Sequence, residues 1–177
     1  MKEKKNFNNN EIKAIIDTMV ILVDSREKSN SHIIEMFDRY GINWESMKLD
    51  SGDYSAYIPS NYDLGIDDII DLRDELCVER KASCDEVIQN LTKHKDRFYR
   101  EYERSSAEIP ILIEDNFKNA IEGNYRSQIT PKQFLGALFG FCDSNKTFFY
   151  FMEDKKHSAL WIYDLLKYRI RNKLKEL

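Results

Sequence analysis

The sequence predicts an α/β fold: a central mixed sheet flanked by helices. Three observations carry this expectation. Short apolar runs of strand length recur along the chain, at 19–23, 54–58 and 109–114. Between them lie longer stretches whose apolar residues repeat every three or four positions, the helical period. Strands and helices then alternate almost to the last residue, the pattern of helices packed around one sheet. With 177 residues and 42% hydrophobic content, the chain is large enough for one domain with a sizeable core.

Taken in order, residues 1–17 read as a polar, flexible tail with a short helical turn at 11–17, and the folded domain spans 18–177. A strand at 19–23 is followed by a helix over 31–40. Ser29 or Ser31 is its cap, Ile33, Ile34, Phe37 and Tyr40 form one face, and Gly41 is the stop. A second strand covers 42–49, and a Gly52-Asp53 turn leads into a third at 54–58, which Pro59 ends. The Asp-rich segment 60–75 reads as a short helix or a loop inserted before a fourth strand at 76–81. One long amphipathic helix is expected over 85–104, with Val87, Ile88, Leu91, Phe98 and Tyr102 on its apolar face. After the apolar strand at 109–114, Thr130-Pro131 opens a helix to Cys142. An aromatic strand at 146–152 and a helix at 158–174 close the chain.

Composition narrows the function classes. No apolar run approaches the ~20 residues of a membrane helix, and the charged, Asn-rich first ten residues lack the apolar core of a signal peptide. A soluble, intracellular protein is expected: cytoplasmic, or nucleoid-associated if its source is bacterial or viral. Cys77, Cys84 and Cys142 are odd in number and lack metal-ligand spacing, so they read as free thiols. His32, His94 and His157 are scattered. The net charge of −4 is unusual for a nucleic-acid protein and argues against tight binding through the whole surface, while leaving room for a local basic face.

The chemistry is expected around 78–85. On a strand, residues two apart share a face, so Glu79 and Lys81 project together while Val78 and Arg80 take the other side. A lone Glu-x-Lys is commonly a solvated ion pair. Here, however, apolar strands also end at Asp24 and begin at Asp53, which would bring Asp24, Asp53 and Glu79 to one sheet edge. Carboxylates are the hard oxygen ligands that a divalent cation takes, and a neighbouring ammonium can polarise the attacking water or neutralise charge building on a phosphate. Asp85 can cap the next helix or lean back toward the site.

Three blocks, Asp24-x-Arg26-Glu27, Gly52-Asp53-Tyr54 and Glu79-Arg80-Lys81-x-x-x-Asp85, resemble the nuclease domain of the XPF-type structure-specific endonucleases in order, spacing and identity. The resemblance covers about 19–175 and implies a restriction-endonuclease-like core. It implies a Mg²⁺- or Mn²⁺-dependent endonuclease acting on branched or flapped DNA in repair or recombination. Asp24, Asp53 and Glu79 would then be metal ligands, and these three with Lys81 and Asp85 the catalytic residues. Arg26, Arg80, Lys93, Arg97 and Arg100 are the expected DNA contacts, Arg80 equally as a structural residue. The family's usual pairing implies a homodimer through the last strand and helices. The 60–75 insertion departs from the family pattern, as does the expected lack of a tandem helix-hairpin-helix module. The rival expectations are a non-catalytic scaffold or partner subunit with the same fold, and a junction-resolving or restriction-type nuclease.

Overall fold

The computed structural model describes residues 6–177. Strand β1 (Val20–Asp24) lies between β2 (Trp44–Met47), which runs parallel to it, and β3 (Tyr54–Ile58), which runs antiparallel. The short β4 (Ile70–Asp71) pairs antiparallel with β3 on its far side. The other half of the sheet is parallel, in the order β5 (Glu79–Lys81), β6 (Ile111–Ile113) and β7 (Phe149–Phe151). The halves meet where Val78 and Tyr54 exchange backbone bonds: Val78 N–H donates to the Tyr54 carbonyl at 2.7 Å, and Tyr54 N–H returns the bond at 3.1 Å. The expected mixed sheet is therefore present, and its seam joins two of the acidic blocks.

Helices cover both faces. Helices α1 (Asn9–Ile16), α2 (Ser31–Tyr40) and α7 (Ser158–Glu176) bury their apolar stripes in one core, which contains Ile15, Phe37, Tyr54 and Ile162. Helices α3 (Cys84–Leu91), α4 (Lys95–Arg104), α5 (Phe117–Glu122) and α6 (Pro131–Ser144) form a second core around Val87, Phe98, Phe134 and Phe141. Strand β6 shows the division: Leu112 points into the first core, Ile111 and Ile113 into the second. Its completely buried run needs apolar residues on both sides, which Ile111-Leu112-Ile113 supplies.

Four local expectations need correction. The first 17 residues are not all tail: Asn8 and Glu11 form a capping box that starts α1, whose Ile12, Ile15 and Ile16 enter the core. Residues 1–5 of that expected tail lie outside the described residues. The α2 cap is Asn30, without a side-chain cap bond, and neither Ser29 nor Ser31 takes that role. The helix expected over 85–104 is two helices, because Thr92 leaves helical geometry while its hydroxyl bonds back to the Ile88 carbonyl at 2.6 Å. The break lets Phe98 stack on Phe141 at 4.6 Å without losing the Leu91 side of the stripe. Finally, the 60–75 insertion forms a 3₁₀ turn and β4, widening the sheet and burying Ile66, Ile70 and Leu72.

Gly52 fixes the approach of the two acidic strands. It holds φ +65°, and a Cβ there would lie 2.8 Å from Cys77 Cβ and 3.1 Å from the Val78 carbonyl oxygen. Left-handed backbone and close contact both demand glycine. Gly52→Ala is expected to destabilise the fold by about 1–3 kcal/mol and to displace Asp53. Thermal melting read beside cleavage rate checks this; a wild-type melt would show that the turn relaxes freely.

Candidate active site

Strand order brings Asp24, Asp53 and Glu79 to one edge. The Asp24 N–H donates to the Asp53 carbonyl at 2.8 Å, and the Asp53 N–H donates to Val78 at 2.8 Å, one residue before Glu79. Residue parity on β5 is as its sequence spacing demands. Glu79 and Lys81 share a face, with Nζ 2.6 Å from Glu79 Oε1, while Arg80 leaves on the other side. All three side chains are buried.

The three carboxylates differ in character. Asp24 is held by Arg26, whose Nη2 is 2.5 Å from Oδ2 and whose N–H is 2.7 Å from Oδ1. Burial pushes its pKa up, but these bonds outweigh it and hold the group below the usual carboxylate value. Asp53 is the reverse case. Burial first, then the negative charges of Glu79 and Glu27, push its pKa well above the ordinary 3.8, although the Arg80 N–H donates to Oδ2 at 2.7 Å. Glu79 is ion-paired with Lys81. For Lys81, burial works against the charged form, yet the Glu79 carboxylate prevails and raises its pKa. The amine therefore stays an ammonium at neutral pH, also lying 5.3 Å over the Phe98 ring.

Among the described residues, no three acidic, histidine or cysteine side chains converge tightly enough to hold a metal ion by themselves. Asp53 and Glu79 fit a smaller demand: Mg²⁺ commonly takes one or two carboxylates and completes its shell with water and substrate phosphate. The like-charge strain on Asp53 is what a cation between the two would relieve. Asp24 lies at the same edge but is committed to Arg26.

Other expected residues fall in different places. Asp85 neither caps α3 nor reaches the site. Ser83 is the cap, and the Asp85 carboxylate bonds Arg126, accepting from N–H at 2.9 Å and Nε at 3.1 Å. Asp85 points out of the first turn of α3 because the helix turns away from the strand; its neighbour Glu86 instead lies 3.6 Å from Lys81. Arg80 has no face for DNA: it is 6% exposed and its guanidinium is spent on Glu114 and Glu27. Arg26 is 59% exposed beside the site, and Lys93, Arg97 and Arg100 are exposed, Lys93 in the break between α3 and α4.

Three acidic residues of the neighbourhood lie outside the expected set. Glu27 adds to the charge on Asp53. Glu101 faces Glu79, and burial and that charge raise its pKa. Glu101 also lines a cleft of about 570 Å³ with Lys48, Leu49 and Arg104. Glu114 anchors Arg80. The signal for it was present, since it follows the apolar strand 109–113 as Asp24 ends its own.

The fold thus gathers acidic strand ends and a buried lysine at one edge of its mixed sheet. The chain belongs to the ERCC4 domain family, whose pattern matches residues 23–165. Its fold is similar to that of XPF from Aeropyrum pernix, with a TM-score of 0.62 at 20% identity over 86% of this chain and 65% of that one. A second structure, XPF from Aeropyrum pernix in complex with DNA, matches with a TM-score of 0.61 at 19% identity, over 86% and 66% of the two chains. The chain thus spans just under two thirds of these relatives' length. No curated protein matches it.

Proposed function

We propose that this domain is a Mg²⁺- or Mn²⁺-dependent endonuclease that hydrolyses DNA phosphodiester bonds, with a preference for branched or flapped DNA. One observation carries the reading: Asp53 and Glu79 lie on adjoining strands with Lys81 permanently charged beside them, in a chain of the ERCC4 domain family. The similarity to an XPF described in complex with DNA supports the substrate class.

When bound, the cation would polarise the scissile phosphate and lower the pKa of a coordinated water. Asp53 and Glu79 would hold it. Lys81 keeps its proton and stabilises charge that develops on the phosphate, and Glu79 fixes its direction. Arg26, beside the site, and the exposed Arg97, near Glu101 on α4, Lys93 and Arg100 would hold backbone phosphates. The test is cleavage of end-labelled flap, fork, four-way junction and linear duplex DNA in Mg²⁺ and Mn²⁺. Cutting is expected near single-strand/duplex junctions. DNA that is bound and never cut would leave a non-catalytic scaffold.

The proposal extends to a homodimer. Strand β7 is an edge, and Phe148 just before it, Tyr150 on it and Phe139 on α6, which packs against Phe149, are each at least 40% exposed, apolar surface on both sides of that edge that a second copy would cover. Light scattering at micromolar concentration is expected to give twice the chain mass, and Phe139→Glu to return it to monomer. Wild-type protein that scatters as a monomer would refute the pairing.

A further inference from the structure

Behind the site, on the face opposite Glu79 and Lys81, a second buried charge network reaches across the sheet. Its centre is Glu114, immediately after β6, whose side chain is 2% exposed. Glu114 Oε2 accepts from Arg80 Nη2 at 2.6 Å and Nε at 2.9 Å, and Oε1 lies 2.7 Å from Nε2 of His32 in the first turn of α2. Burial disfavours the ionised carboxyl, but Arg80 and then His32 outweigh it and hold its pKa below the ordinary value. The charge is therefore retained and fully engaged.

Arg80 links this network to the site twice. Its main-chain N–H donates to Asp53 Oδ2 at 2.7 Å, and its Nη1 reaches Glu27 Oε1 at 3.4 Å. The two contacts differ in strength. Arg80 is held tightly by Glu114 and only loosely by Glu27, so its guanidinium is drawn away from Asp53. We infer that Glu114, braced by His32, is a positioning residue: it restrains the Arg80 guanidinium so that Asp53 remains open to a divalent cation. This inference rests on the metal-dependent reading above.

The consequence follows from charge. Without the Glu114 carboxylate, a buried guanidinium has no full counter-ion and turns toward Glu27, which it already reaches, and the Asp53 beside Glu27, where it competes with a metal ion. Outer partners of metal sites typically alter affinity by about 10–100-fold. Removing Arg80 together with Glu114 removes the competitor, so the double variant is expected to recover what the single variant loses. Removing both partners of a buried pair also relieves a merely structural defect, so each variant's melt is read beside its Mn²⁺ affinity: a structural role moves the two together, whereas the positioning role lowers affinity in a variant that melts as wild type.

The test is titration calorimetry with Mn²⁺ alone, without DNA, on wild type, Glu114→Gln, Glu114→Asp and the double variant Arg80→Met/Glu114→Met. Glu114→Gln is expected to bind Mn²⁺ about tenfold more weakly or worse, and the double variant to return to within about threefold of wild type. Glu114→Asp keeps the charge and loses reach, so it weakens binding in the same direction and serves if the glutamine variant fails to fold. Wild-type affinity in a folded Glu114 variant overturns the inference, as does a double variant no better than the single one. Wild type that binds no Mn²⁺ overturns both the inference and the reading beneath it, whereas wild-type binding with unaffected variants removes the inference alone.

Discussion

Asp53→Asn is expected to raise the melting temperature of the metal-free protein while abolishing DNA cleavage. Asp53 is half-buried beside Glu79 and Glu27, and desolvation together with those negative charges pushes its pKa well above the ordinary 3.8. The folded state therefore holds a proton that the unfolded chain has already released between about pH 4 and the raised value. Stability falls as pH rises through that window, and the full penalty is present above it. Asparagine carries no charge, yet its carbonyl oxygen can still accept the Arg80 N–H now donated at 2.7 Å. In buffer with EDTA, the variant is expected to melt higher at pH 7 and to lose this part of the pH dependence. Each kcal/mol gained is worth about 2–4 °C in a chain of this size. Stability held back for the sake of activity is common at functional sites. A variant that melts below wild type at pH 7 would show that the Asp53 charge is compensated in the folded protein.

Lys81→Met is expected to reduce single-turnover cleavage by about 10²–10³-fold, the effect of losing one preorganised charge at a reacting phosphate. Its raised pKa means that Lys81 serves as a fixed cation, not as a proton acceptor, so no rise in pH within the neutral range should restore the variant. The substitution also leaves Glu79 buried without its partner. Breaking a buried pair from one side costs about 3–5 kcal/mol, so the melt should fall, and Mg²⁺ should raise it more in the variant than in wild type by replacing the missing charge. DNA affinity, measured by fluorescence anisotropy, should change little, because Lys81 is buried and the exposed Arg97 and Arg100 are untouched. A fully active Lys81→Met would remove Lys81 from the chemistry.

Much of this architecture is legible along the chain. The two-residue period of a strand places Glu79 and Lys81 on one face and Arg80 on the other before any contact is known. Apolar strand ends mark Asp24 and Asp53, Thr130-Pro131 starts α6, and Gly41 and Gly52 take the left-handed backbone their positions require. These are local determinations, since propensity, alternation and turn chemistry act within a few residues. The tertiary structure alone decides which side chains meet. It sends Asp85 to Arg126, turns Glu101 toward Glu79 and joins Arg80, through Glu114, to His32. Each of these depends on strand order and helix docking between residues up to 82 positions apart. At such separations periodicity carries no information, and the burial of a charge is determined by the partner that folding brings to it.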